Sequence, residues 1–322
     1  MRSVYLDGEI IRLDPSNEDV RDAIASKTGV LWVDLAPGDD PQPVLERLFA
    51  FHPLAIEDAI NSRVETPKVD DYGNYLFIVA QSVAYGGIGE RLDIAEVDVF
   101  LGPNYVVTTR KRTVGAIDEL FNRACENQHI LIRGADFLTH TILDSLVDLI
   151  LPAVEEMDET IDALEQRILE RPDKALLPEV LLLKRNTLRL RRSILPQRDM
   201  VNRLSRGEFG QLIGSDALIF YRDVYDHIVR VEEMLEGLRD LADSALNTYL
   251  SATNNRMNEV MKAMSVVAVI FLPLTLIASI YGTNLDLSPL GVEFKHGFLL
   301  MLGSMVAISA VSIYLFHKRG WF

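Results

Sequence analysis

Cysteine is nearly absent: the chain of 322 residues holds one, Cys125. A single thiol excludes a disulfide framework and a cysteine zinc site, and it suits a reducing cytosol. Basic charge is in deficit, with 32 Lys and Arg against 47 Asp and Glu, a net charge of -15. That balance argues against a nucleic-acid partner and fits a surface that attracts cations. There is no Gly-rich phosphate loop, no nucleophile elbow and no His cluster at metal-ligand spacing, so neither an enzyme nor a resident cofactor is expected. His52, followed by Pro53, reads as structural rather than catalytic. The opening residues, MRSVYLDGEIIRLD, lack the apolar core of a signal peptide, so the soluble part is expected to stay inside the cell. The most informative absence is charge within two long stretches, Ala263 to Tyr281 and Gly297 to Phe316.

Each of these runs is about twenty residues, which as helix rises about 30 Å, the thickness of a bilayer's hydrocarbon core. Arg256 and Lys262 precede the first run; His317, Lys318 and Arg319 follow the second. The connecting loop carries Asp286 and Glu293 against one Lys295. By the positive-inside rule the loop faces outside and both chain ends are cytoplasmic, which places the protein as a multi-pass protein of the inner (plasma) membrane. Tyr281, Trp321 and Phe322 fit interfacial anchors.

Nearly all charge precedes residue 263, and that part reads in two blocks. Residues 1–133 alternate strand-like segments (VYLDGEIIRL, GVLWVDL, NYLFIVAQSVAY and EVDVFLGPNYVVTTRK) with short helices expected at Pro41–Phe51, Pro53–Asn61 and Val114–Asn127. This predicts a cytoplasmic α/β domain with a mixed sheet, and an α+β membrane protein as a whole. Residues 134–215 read as a helical hairpin. Leu143, Val147, Ile150, Val154, Met157, Ile161, Leu164 and Ile168 form one heptad stripe, and Val180, Leu183, Thr187, Leu190, Ile194, Val201 and Leu204 a second. An acidic helix (Glu155 to Glu165) precedes a basic one (Lys184 to Arg192), and the two charged faces are expected to pair across the turn at Glu170–Asp173.

A third stripe runs from Tyr221 to Ala252, and no breaker separates it from the first apolar run. A helix of about 65 residues, roughly 100 Å long, is expected: a stalk over 216–262, the first membrane span over 263–281, an extracytoplasmic loop over 282–296, the second span over 297–316 and a basic tail over 317–322. Two spans cannot enclose a pore, so a pore requires a ring of subunits. Asn258, Met261, Ser265, Ala268, Leu272, Thr275 and Ser279, followed by Gly282, fall on one helical face. Small and hydroxyl residues there suit either a packing seam or a pore lining.

The Tyr-Gly-Thr-Asn sequence at 281–284, after a span containing FLPLTLIASI and before one ending in HKRGWF, resembles the CorA family of divalent-cation channels. HPLAIEDAINSRVETPKVDDYGNYLFIV, ILERPDKA, LKRNTLRLRRSILPQR, FYRDVYDHI and NRMNEVMKAMSVVAVIFLPLT resemble further stretches of that family in the same order, so the likeness covers nearly the whole chain. It implies a homopentameric cytoplasmic funnel lined by the long helix. Asn258, Met261, Leu272 and Thr275 would line the pore, Gly282 and Asn284 would form the outer filter with Thr283 between them, and Tyr281 would brace it. Such a ring of amide and backbone oxygens accepts hydrogen bonds from a hydrated ion; Mg²⁺ sheds its water reluctantly. The resemblance also implies a regulatory divalent cation on stalk residue Asp223, with Asp226 one turn on. The family's partner carboxylate is missing where Gly86–Gly87 follow Tyr85, so metal sensing is expected either to be weakened or to use Asp144 or Asp148 instead. Thr283 stands where the family has Met, and Leu285 where an aromatic is usual. The expected cargo is Mg²⁺, with Co²⁺ or Ni²⁺ as surrogates; Zn²⁺ transport of the ZntB type is the alternative. A membrane-anchored metal sensor or scaffold is the alternative from another class.

Overall fold

Backbone conformation turns the first strand-like segment into two strands. Gly8, at φ +64°, reverses the chain between β1 (Arg2–Asp7) and β2 (Ile10–Leu13), which pair antiparallel with Val4 opposite Leu13. The structure is a computed structural model and describes residues 1–61, 63–283 and 294–321. Within them the chain forms two compact units, Met1–Asn247 and Thr248–Phe322.

The first unit is built on a seven-stranded mixed sheet in the order β2-β1-β3-β7-β6-β5-β4. The further strands are β3 (Val30–Leu35), β4 (Lys68–Asp71), β5 (Leu76–Ala84), β6 (Asp93–Leu101) and β7 (Tyr105–Thr109). β3 and β7 are parallel, with Trp32 opposite Val106; the other pairs are antiparallel. The segment EVDVFLGPNYVVTTRK is a hairpin, β6 and β7, that turns at Gly102–Asn104.

Helices α1 (Asn17–Ser26) and α2 (Pro53–Ile60) share one core with the sheet: Val20 and Ala23 from α1 and Ala55 and Ile56 from α2 are buried with Leu31, Phe77, Val79, Phe100 and Val107. Ser16 and Asp19 cap α1 reciprocally, Ser16 Oγ accepting from Asp19 N at 3.2 Å and the Asp19 carboxylate accepting from Ser16 N at 3.0 Å. The helix expected over Pro41–Phe51 is reduced to one π-helical turn, Val44–Leu48, because Ala50 takes φ +51° and ends it, letting Phe51 stack on Phe100 at 4.3 Å between ring centres. Phe51 in the core outweighs the missing helical turn. His52 caps α2: its Nδ1 accepts from Leu54 N at 3.2 Å and its ring stacks on Tyr72.

Helices α3 (Gly115–Glu126), α4 (Ala135–Val147), α5 (Ile150–Glu170) and α6 (Leu176–Ser205) complete the unit with the start of α7 (Leu218–Gly282). The first heptad stripe is split between α4 and α5, since Pro152 offers no N–H to the carbonyl of Asp148. Every residue of the first two stripes is buried, and so is the third from Tyr221 to Tyr249. The basic run on α6 departs from expectation. It pairs with α7 rather than α5, through Lys184–Asp243 at 2.5 Å and Arg191–Glu236 at 3.8 Å, and beyond the run Arg198 does the same with Glu232 at 2.7 Å. The stripes bring the apolar seams of α5 and α6 face to face, so flanking charges reach the next helix instead. Such exposed pairs are worth about 0–1 kcal/mol each.

Candidate ion pathway and metal-binding cluster

The chemistry of the second unit starts from helix continuity. Helix α7 runs 65 residues without interruption, and Pro273 lies inside it. Proline removes one helical hydrogen bond, to the Val269 carbonyl, and Thr275 Oγ donates to the Phe271 carbonyl at 2.8 Å beside the gap. Helix α8 (Phe294–Lys318) follows.

Among the described residues, three helical stretches have the length and hydropathy to cross a membrane: Ala135–Glu170, Leu218–Gly282 and Gly297–Lys318. Burial separates them. The apolar window of the first is 61% buried in protein, against 6% and 0% for the other two. The first is a core helix pair, and the others are apolar surfaces that water does not tolerate at this size. Lys262 Nζ lies 5.9 Å from the ring centre of Trp321, and Trp321 packs on Phe316 at 5.3 Å. The start of the first apolar run and the end of the second therefore lie side by side.

The stripe singled out in the sequence is one exposed face of α7. Asn258, Met261, Ser265, Ala268, Leu272, Thr275 and Ser279 are all exposed, Leu272 by 71% and Met261 by 61%. Tyr281 and Gly282 end the helix, exposed in their turn, and Thr283 Oγ donates to the Ile280 carbonyl at 2.6 Å. Asn284 lies outside the described residues.

The second candidate site is in the first unit. Asp144 on α4, Asp148 just beyond it and His227 on α7 each offer a ligand atom, and these atoms lie within 4.8 Å of one another. Among the described residues this is the one such group of three or more His, Cys, Asp or Glu. Asp223, one turn before His227, stands 3.9 Å from its Nε2. Asp226 is exposed on α7 and is not a member of the group. Burial, then the neighbouring Asp148 carboxylate, raise the Asp144 carboxyl above its usual range, while His227 opposes them. His140, one turn before Asp144, is held below the usual imidazole value by burial, with Asp223 opposing. Of the sequence candidates, Asp144, Asp148 and Asp223 are thus brought together. His227 was missed, although its place four residues after Asp223 puts both on one helical face.

Tyr85, just before Gly86–Gly87, lies beside Thr160 on α5, and Tyr221 Oη donates to the Asp136 carbonyl at 2.9 Å, which ties α4 to α7. Asn186 on α6 accepts from Leu92 N at 3.1 Å and donates to the Glu90 carbonyl at 2.8 Å. The loop before β6 is anchored on the helical layer.

A sheet-based domain continuing through an unbroken helix into paired apolar helices defines a membrane protein with a large soluble part. The family model described as CorA-like Mg2+ transporter protein matches residues 27–318, and the chain belongs to that family. It is 34% identical over 294 residues to the cobalt/magnesium transport protein CorA of Thermotoga maritima, covering 90% of this chain and 83% of that one. It is 27% identical over 277 residues to the zinc transport protein ZntB of Pectobacterium carotovorum, covering 84% and 81%. Its fold is similar to the complete structure of the CorA magnesium transporter from Methanocaldococcus jannaschii, with a TM-score of 0.83 at 21% identity over 100% and 99% of the two chains.

Proposed function

We propose that the protein is a divalent-cation channel that admits Mg²⁺, with Co²⁺ and Ni²⁺ as surrogates, through a homopentameric pore in the plasma membrane. The observation that carries this is the exposed face of α7 from Asn258 to Ser279, which leads directly into Tyr281–Gly282. Polar and small side chains exposed on a helix otherwise surrounded by lipid are costly unless they face water or protein. Five copies around an axis give them both.

In this reading Asn284 presents five amide oxygens at the outer mouth, with Gly282 carbonyls beneath and Tyr281 as the brace. Their hydrogen bonds go to the ion's water shell, so a hydrated divalent ion is held and released without full dehydration. Met261 and Leu272 form apolar constrictions that close by dewetting. Both termini are cytoplasmic, so the membrane potential drives influx, at roughly 4.6 kcal/mol for a charge of two across 100 mV. No organic cofactor takes part; the cation is cargo and regulator.

Regulation falls to the group of Asp144, Asp148 and His227 with Asp223 beside it. Two carboxylates and an imidazole suit Co²⁺, Ni²⁺ or Zn²⁺ better than Mg²⁺, which prefers oxygen donors throughout. The imidazole and the similarity to a zinc transport protein favour a second reading, in which the cargo is Zn²⁺.

Flux of Mg²⁺ and Zn²⁺ into liposomes holding the purified protein, at two pH values, tests both readings. Selective Mg²⁺ entry that Asn284→Ala abolishes, with the protein still pentameric, is the expected result. Preferential Zn²⁺ entry favours the second reading, and the absence of either flux favours a membrane-anchored sensor. Unchanged rate and preference in Asn284→Ala refute the filter assignment.

A further inference from the structure

Strand β6 carries Glu96 and Asp98, two residues apart and hence on one face, the face that also presents Phe100 to the core under α2. Alternation of polar and apolar residues would direct that face to water, yet Glu96 is 6% exposed and Asp98 1%. Val79 of β5 and Thr109 of β7 flank Asp98 across the sheet.

The two carboxyls are treated differently. Glu96 Oε2 accepts from the backbone N–H of Glu65, and Oε1 accepts from Lys111 Nζ at 3.3 Å. Lys111 also donates to the carbonyl of Asn61, at the end of α2. Gln81 opposite Glu96 donates to the Glu65 carbonyl at 2.7 Å. Asp98 Oδ1 is buried and has no hydrogen-bond partner among the described residues. Charge does not balance there. The cation beside the pair is Lys111, and of the other carboxylates facing Asp98, Asp58 on α2 is held by Lys68 at 2.6 Å while Glu65 adds negative charge. A second buried carboxylate without partner or counter-ion is strongly disfavoured, so one of the two keeps a proton. Glu96 has the donors; the proton belongs on Asp98.

We propose that Glu96 and Asp98 form a proton-dependent latch between β6 and the residues flanking α2, closed while Asp98 keeps its proton and loosened when that proton is lost. Burial, then the negative charge of Glu96, raise the Asp98 carboxyl well above its usual range, with Lys111 opposing. The latch therefore stays closed through the ordinary carboxyl range and opens as pH rises through the folded-state value. A raised folded-state value means that the native state binds the extra proton, so stability is full below about pH 4 and falls as pH rises above it. The cytosolic domain becomes a sensor of alkalinisation, and this holds whatever ion the membrane part conducts.

The test uses the full-length protein. Infrared difference spectra between wild type and Asp98→Asn at near-neutral pH should show the C=O stretch of a protonated carboxyl in the wild type alone. Amide exchange in α2 and at Glu65, corrected for the intrinsic rate, should speed up to tenfold per pH unit in the wild type over some part of the range from about pH 5 to about pH 9. It should not vary in this way in Asp98→Asn. Glu96→Gln, which frees Lys111 to pair with an ionised Asp98, should move the change to lower pH, and it serves as the test if Asp98→Asn does not fold. A missing carboxyl band, or the same pH course in wild type and both variants, overturns the latch.

Discussion

Asp34, the next-to-last residue of β3, meets Arg110, the residue after β7, Nη1 to Oδ1 at 2.5 Å, with side chains 0% and 1% exposed. Asp34 also accepts from Thr108 Oγ at 2.6 Å and from Arg2 Nε at 2.7 Å, and both arginines reach Asp118 at 2.5 Å. The network ties β1, β3, the end of β7 and α3 together. Arg110→Met leaves Asp34 buried with Arg2 as its remaining ionic partner and should cost about 3–5 kcal/mol. The measure is the thermal unfolding midpoint of the soluble domain, expected to fall by about 10 °C or more. Adding Asp34→Asn to that variant should recover part of the loss, because the uncompensated charge is gone.

Asn186 holds the loop before β6 through both ends of its amide. Asn186→Leu keeps the volume and orphans Leu92 N and the Glu90 carbonyl, at about 1–3 kcal/mol for each buried group. Hydrogen exchange at Leu92 should accelerate in the variant before global stability changes.

Thr283 turns its hydroxyl back onto the Ile280 carbonyl rather than away from its own helix. In the proposed pore it contributes support, not ligands. Thr283→Met should leave cation flux in liposomes within about twofold of the wild type, a shift of about 0.4 kcal/mol in barrier. A loss as large as that of Asn284→Ala would place Thr283 in the filter.

The imidazole of His227 distinguishes the cluster in the first unit from an all-oxygen site. Co²⁺ should raise the thermal midpoint more than Mg²⁺ at equal concentration; binding at a hundred times Kd adds about 2.7 kcal/mol. His227→Ala should remove the excess due to Co²⁺ and leave the Mg²⁺ response. Asp223→Ala should reduce both if its carboxylate joins the bound ion. Equal responses to both ions in the wild type would argue against imidazole ligation.

Periodicity made the helical layer legible. The heptads of α5, α6 and α7 were readable because each side chain's burial there follows from its position on its own helix, and their stripes are buried, the third as far as Tyr249. The same local logic marked the two apolar runs and the continuity of α7. In the α/β domain the pattern indicated strands without their ends: β4 is short and polar, LysValAspAsp, and carries no strand signal of its own, since its place on the sheet edge comes from pairing with β5.

What the sequence by itself determined is what depends on neighbours along the chain: the membrane-length helices, the exposed stripe from Asn258 to Ser279, the hairpin of α5 and α6, and the membership signal at 281–284. What only the tertiary structure decided is what depends on neighbours across it. His227 meets Asp144 and Asp148 because α4 packs on α7, and residues 80 apart in sequence have no local pattern that announces the meeting. The α6 cations choose α7 over the acidic α5 because the apolar seams are matched first, burial being worth several times an exposed ion pair. Asp98 is buried because α2 folds over a strand whose alternation alone would have sent it to water. Burial and charge partners act through space, and they set the chemistry of a carboxyl only after the chain has closed around it.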